Sequence, residues 1–337
     1  MNKIKIAGQA ITSTNYTTAR LFNFNPEFVR DAADNFLRAG VSEIEVPQGV
    51  LDPEGRGKEQ GMDEPAVRRT LELLPKETRV IGSYLSSGAA GKDNTAFLAA
   101  SRRTVDNLLR FFPDMKYIML HPPRLAEFNK QAVRGLIGAW AELAHYAASK
   151  RAGFQGCLHN HFDTSCETAE QVRAFLDALA EANEPALRWG PDTGHCHGMK
   201  DDYLKVLDEY APLIGNFFHI KTRVPAFDQL HGGPLYRPDR DIWGNKAEVG
   251  RGLYSGFVNC ADPEIQTPLK EIFDIIARKA RPSAGVVTGA LEIDIPRQHP
   301  RLEVLCSVLY LKQVHKIEPA MPLTAEQIVA RVFAPSA

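Results

Sequence analysis

Four short clusters in the second half of the chain hold residues of the types that bind metal ions and move protons. They are His159-Asn160-His161-Phe162-Asp163, Asp192-Thr193-Gly194-His195-Cys196-His197, His219-Ile220-Lys221 and Glu292-Ile293-Asp294. Five of the ten histidines fall between 159 and 219. His159, Asp192, His219 and Glu292 each sit at or just past the end of an apolar, strand-like run. Together they make a set of two imidazoles and two carboxylates, with room for substrate at the open positions of one divalent ion. Oxygen ligands alone favour Mg²⁺ or Ca²⁺, and two histidines move the preference toward Mn²⁺, Co²⁺, Fe²⁺ or Zn²⁺. The expected metal ligands are therefore His159, Asp192, His219 and Glu292.

The remaining polar residues of these clusters gather around that set. His161 shares a strand face with His159, and His195 follows Asp192 by three residues, so a turn brings its ring beside a bound substrate. His195, His161 and Glu292 are the candidate bases, since an imidazole accepts a proton near neutral pH without a large perturbation. Lys221, two residues past His219, either stabilises a developing oxyanion or makes a surface salt bridge. His197, Arg251 and Arg297 are candidate substrate contacts, the two arginines for a polar or anionic group. Glu45 and His121, at the ends of the second and fourth strands, are placed to bind substrate hydroxyls.

The elements that must carry these residues alternate along the whole chain. Strands are expected at Ile4–Ala7, Ser42–Val46, Arg79–Ile81, Met115–Leu120, Gly156–His159, Leu187–Gly190, Asn216–Ile220 and Gly285–Ile293. Helices are expected at about 26–39, 63–74, 94–111, 130–150, 169–182, 202–210, 268–279 and 300–314. Eight strands, each followed by a helix, is the count of a closed (β/α)8 barrel, whose strand ends gather functional residues at one mouth. An open doubly wound sheet would announce a glycine-rich turn after its first strand, and Gly8-Gln9-Ala10-Ile11-Thr12 is not one. The reading is a single-domain TIM barrel over 1–315. It carries a long Gly/Pro/Asp-rich excursion at 222–262, read as a lid or an interface loop. A tail at 316–337 includes a short helix at 324–333 and packs on its own barrel or on another subunit.

Bulk properties narrow the function classes. The formal net charge of −1 carries no basic block, which argues against nucleic acid as partner. No long apolar stretch suggests a signal peptide or membrane span. The five cysteines lack CxxC spacing and read as reduced packing thiols of a cytoplasmic protein.

The strand order and the motifs CLHNH, PDTGHCH, FFHIK and ALEID resemble the xylose-isomerase-like TIM barrels, the sugar phosphate isomerase/epimerase superfamily. The HNHFDT run is most similar to the inosose-dehydratase-like branch. That resemblance implies one divalent ion, Mn²⁺ first, with Co²⁺, Fe²⁺, Zn²⁺ and Mg²⁺ as alternatives. It also implies a carbohydrate substrate and a homo-oligomer, or a hetero-oligomer with a small β subunit. The first ligand of most family isomerases and epimerases is a Glu, and here that position aligns with His159. Only Glu292 is left of the two metal-bound glutamates that act as opposing bases in the epimerases. The expected reaction is therefore enolisation of a sugar, keto-sugar or inosose carried to β-elimination, as in a dehydratase or lyase. The alternatives are a sugar isomerase or epimerase, the catalytic subunit of a C-glycoside-cleaving hetero-oligomer, and a non-catalytic sugar-binding barrel. A metal-dependent DNA-repair endonuclease of the same superfamily would need a basic groove, which the charge does not provide.

Overall fold

The strands follow one another around the sheet in chain order. A computed structural model describes residues 1–10, 25–47, 63–86, 93–161, 164–222, 267–293 and 299–334. Its strands are β1 (Lys3–Gln9), β2 (Glu43–Pro47), β3 (Arg79–Ser86), β4 (Tyr117–His121), β5 (Gln155–Leu158), β6 (Leu187–Trp189), β7 (Phe217–Ile220) and β8 (Val286–Leu291). The sheet order is β6-β5-β4-β3-β2-β1-β8-β7. Parallel bridges Trp189↔Ile214 and Asp192↔His219 bring β7 back to β6. This cyclic order is that of a (β/α)8 TIM barrel. The intervening helices are α1 (Pro26–Arg38), α2 (Glu64–Leu73), α3 (Asn94–Phe111), α4 (Lys130–Lys150), α5 (Ala169–Ala182), α6 (Tyr203–Tyr210), α7 (Leu269–Lys279) and α8 (Pro300–Val314). A two-residue strand β9 (Glu318–Pro319) and a helix α9 (Ala325–Phe333) complete the chain. No helix among the described residues is long and apolar enough to cross a membrane.

Packing divides the chain into two compact units. The first comprises Met1–Ile4, Val80–His219 and Pro268–Gly289. Its strands β3 to β6 run in parallel, pairing Ser83↔Ile118, Met119↔Cys157 and Leu158↔Trp189. The core is built by Ile118, Leu120, Leu158, Trp140, Phe175 and Phe218, all essentially inaccessible. Gly82 has no side chain for a packing reason: a Cβ there would overlap the Tyr117 ring. That ring stacks on Phe217 at 4.0 Å between centroids. The long helices start where polar caps dictate. Asp93 and Asn129 accept backbone N–H groups at the heads of α3 and α4, and Thr168 and Gln171 form a reciprocal capping box on α5.

The second unit comprises Lys5–Arg79, Ile220–Thr267 and Ala290–Ala337. Helix α1 is capped by Asn25 and buries Val29, Ala32, Ala33, Phe36 and Leu37, a single apolar face. At the start of β2, buried Glu43 pairs with Lys5 and with Arg79, the latter at 3.3 Å. The tail packs on its own chain. Strand β9 pairs with β1 in parallel, Lys5↔Glu318, and Arg38 donates to the carbonyls of Arg331 and Ala334 at the end of α9.

The eight barrel strands and the helices between them agree with the sequence reading, and two details of this part differ from it. Strand β3 runs to Ser86 rather than Ile81, because Gly82-Ser83-Tyr84 has no apolar alternation to signal it. The segment after Asp192 runs through a 3-10 turn, His195–Asp202, that the sequence did not announce, and the α-helix then starts at Tyr203, as expected. Residues 223–262 of the excursion, Arg251, Arg297 and the side chain of His197 lie outside the described residues.

Candidate metal centre

Strands β5, β6 and β7 of the first unit each deliver one ligand-type residue at or just past the C-terminal end. His159 follows β5, Asp192 lies three residues beyond β6, and His219 is the third residue of β7. Their donor atoms lie within 4.8 Å of one another and all three side chains are buried. The register makes this so. Asp192 and His219 are bridged in parallel, with His219 N–H donating to Pro191 O at 2.9 Å. Asn160 locks the neighbouring strand end: its Oδ1 accepts from the Asp192 N–H at 3.0 Å.

Asp192 is oriented by its own turn. Oδ1 accepts the backbone N–H groups of Gly194 and His195, each at 2.7 Å. Oδ2 lies 3.7 Å from His159 Nε2, 3.8 Å from His219 Nδ1 and 3.8 Å from His195 Nε2. These separations exceed hydrogen-bond length. They suit donors that share a cation, since two ligands about 2.1 Å from a tetrahedral ion stand roughly 3.4 Å apart. The His159 ring is turned to serve, because its Nδ1 meets the Gly190 carbonyl at 3.2 Å, which leaves Nε2 for the Asp192 side. Gly190 has to be glycine: a Cβ there would come within 2.8 Å of Cys157 Cβ and 2.9 Å of Met119 Sδ. Cys157 and Cys196 are buried packing residues, and the Cys196 thiol donates to Thr193 O at 2.5 Å. Burial pushes the Tyr203 hydroxyl well above its usual range, with Cys196 and Asp192 adding to the effect.

Further imidazoles crowd the same place. His161 and His195 have ring centroids 4.0 Å apart, and His195 is fully buried beside Asp192. His121, at the end of β4, stacks on His159 at 4.7 Å. The structure thus brings His121, His159, His161, His195, His219 and Asp192 together within one unit. In the second unit Lys221 is 1% exposed, and its Nζ lies 2.9 Å from Glu292 Oε1. Lys221 is therefore buried, which corrects the surface-salt-bridge alternative. Glu292 directly follows the end of β8. Glu45 is fully buried, and its Oε1 accepts from Gln9 Nε2 at 3.2 Å. Gln9 and Gly190 escaped sequence reasoning. The one signal for Gln9 was a polar residue at the end of an apolar strand, and Gly190 offered only a glycine two residues before Asp192.

No protein-family model matches the chain. The inosose dehydratase of Yersinia enterocolitica is 35% identical over 83 residues, 24% of this chain and 26% of that protein. That of Klebsiella pneumoniae strain 342 is 30% identical over 107 residues, 31% of this chain and 33% of that protein. The matched stretch thus spans a quarter to a third of these relatives' length. Among solved structures, the probable 3-DHS dehydratase AsbF of Bacillus anthracis superposes with a TM-score of 0.59 at 13% identity, covering 93% of this chain and all of that one. D-allulose 3-epimerase of Methylomonas sp. gives 0.59 at 16%, with 93% and 98% covered. The IolI protein with a bound zinc atom gives 0.57 at 13%, with 92% and 97% covered. At such identities the likeness is one of fold: the chain shares a (β/α)8 barrel with these proteins, and the stretches in which its sequence is similar to curated proteins are to inosose dehydratases.

Proposed function

We propose that this chain is a divalent-metal-dependent enzyme that enolises a polyhydroxylated ketone, an inosose or a keto-sugar, and carries the product to β-elimination. The observation that carries the reading is the buried His159–Asp192–His219 group, with Asp192 Oδ2 facing imidazole nitrogens at 3.7–3.8 Å. Two imidazoles and one carboxylate suit Mn²⁺, Fe²⁺, Co²⁺ or Zn²⁺, and Mn²⁺ is the first candidate. The zinc of IolI and the dehydratase relatives support the same reading. A cation held there would act as a Lewis acid on a substrate carbonyl and so acidify the neighbouring C–H.

The protein's own groups do the rest. His195 and His161 lie side by side, so one imidazole takes the α-proton and its electron pair moves into the carbon–carbon bond of the enediolate. Collapse of that pair expels the β-hydroxyl, which leaves as water as the imidazolium formed in the first step gives up its proton to it. Burial of His195 and Asp192 keeps bulk solvent from re-protonating the carbanionic carbon first. Lys221 and Glu292 are proposed as further catalytic groups, and Glu45 and His121 as substrate contacts.

Purified protein is analysed for bound metal and then incubated with inososes and keto-sugars in deuterated water. Uptake of label with loss of water supports the proposal. Label in a rearranged or inverted sugar makes the chain an isomerase or epimerase. Metal-replete protein that binds sugars and exchanges no α-proton is a binding protein.

A further inference from the structure

The imidazole of His159 is held on its edge and on its face. On the edge, Nδ1 meets Gly190 O at 3.2 Å. On the face, His121 stacks at 4.7 Å between centroids with the planes 20° apart. Tyr84 stacks in turn on His121 at 5.0 Å and 23°. The three rings form a column across β3, β4 and the end of β5. Strand register produces it. Leu120 pairs with Leu158, so His121 and His159 are the next cross-strand pair and stand on one face of the sheet. Tyr84 pairs with Met119, on the strand beyond. Tyr84 and His121 are half-buried, whereas His159 at the inner end is buried.

An edge contact alone leaves a ring free to tilt about the line from Nδ1 to its partner. A stacked neighbour opposes that tilt, as offset-stacked and edge-to-face ring contacts are both favoured at such separations, and the edge-on His219 ring at 4.6 Å bounds the ring alongside it. We infer that His121 and Tyr84 are positioning residues that fix the plane of the His159 imidazole and so keep Nε2 directed toward Asp192 Oδ2. This rests on the metal-centre reading above and adds to it a determinant of ion affinity that touches no ion. It also gives His121 a role other than hydroxyl binding, one that needs its ring and not its nitrogens.

The test uses the full chain freed of metal and titrated with Co²⁺. It reads affinity by chelator competition and ligand geometry by the visible absorption band of the bound ion. Removal of a group that orients a ligand typically weakens binding about 10- to 100-fold. His121→Ala is expected to weaken Co²⁺ binding by that factor and to shift the band. His121→Phe, which keeps a ring but no nitrogen, restores most of the affinity. Melting of the ion-free proteins separates a local effect from a global one. If His121→Ala fails to fold, Tyr84→Leu reads the same two quantities with His121 in place. A wild-type protein that binds Co²⁺, with His121→Ala and Tyr84→Leu indistinguishable from it in affinity and band, overturns the inference and leaves the metal centre standing. Failure of His121→Phe to restore what His121→Ala loses overturns it as well. A wild-type chain that binds no divalent ion removes the metal centre and the inference together.

Discussion

Asp192 concentrates the site's chemistry in one side chain. Two backbone amides fix one oxygen and three imidazole nitrogens face the other, so Asp192→Asn keeps the shape but exchanges an anionic oxygen for a neutral group. We expect Asp192→Asn to abolish stoichiometric divalent-ion binding in equilibrium dialysis while the fold, read by circular dichroism, persists. A variant that keeps wild-type stoichiometry and affinity would count against the centre. The Lys221–Glu292 pair makes a second residue-scale prediction. Removing one partner of a buried pair typically costs about 3–5 kcal/mol, because the other charge stays behind. Lys221→Met should therefore destabilise strongly in denaturant melts, and adding Glu292→Gln should recover much of the loss. The single variant Glu292→Gln also tests Glu292 as a ligand, since unchanged ion affinity excludes it. From sequence, the residue types at 159, 192 and 219 were enough to mark them, because each closes an apolar run. The burial of Lys221 was not visible, since its partner lies 71 positions away and only the fold brings them together.

Elements were legible where local physics alone sets them. Helices α3, α4 and α5 begin at their sequence-read positions because Asp93, Asn129 and Thr168 are capping residues that open segments whose apolar residues recur at helical spacing. Strand β9 was not legible: two residues, one of them proline, carry no period, and the strand forms by pairing with Lys5 and Ile6 of β1, ahead of the Gly8–Gln9 stretch that pairs with β2. The capping box gives an element-scale prediction. Thr168→Ala should cost about 1 kcal/mol of stability, and a melt identical to wild type would show the cap to be idle. A pH-dependent contact joins α5 to α6, where Tyr210 donates to Asp177 Oδ1 at 2.7 Å. Burial first, then this bond, pushes the Tyr210 phenol up to about 12 from its ordinary 10.0. A raised phenol favours the folded state while it keeps its proton, so the contribution is whole below pH 10 and is lost as pH rises toward 12. Tyr210→Phe should thus be less stable than wild type at neutral pH, by well under about 1 kcal/mol because the bond is solvent-exposed. The difference should shrink across that alkaline window. A gap that is constant with pH would mean the hydroxyl is not the cause.

At the scale of the whole chain, the tail returns to the beginning of the barrel. Strand β9 pairs with β1, the Met321 N–H donates to Gly40 O at 2.9 Å, and α9 is tied to α1 through Arg38 and Arg331. Ile328 and Val332 are fully buried along α9. Sequence showed a short helix at 324–333 but not what it covers, because an apolar face nine residues long fits a sister subunit as readily as its own chain. The contacts to α1 and β1 decide for the chain itself. Burying an aliphatic side chain of this size is worth about 1.5–3 kcal/mol, so Ile328 and Val332 alone make the tail worth several kcal/mol to the unit that contains it. Deletion of 316–337 should therefore lower the melting temperature markedly. Because the tail packs within the chain, the melting temperature of the intact protein should not depend on protein concentration on the tail's account. His159, Asp192 and His219 lie in the other compact unit, so the truncated protein, kept well below its melting point, should still bind one divalent ion. A truncated chain as stable as the full one would show that these contacts contribute nothing. Loss of ion binding in a truncated chain that is still folded would show that the two units do not hold their functions separately.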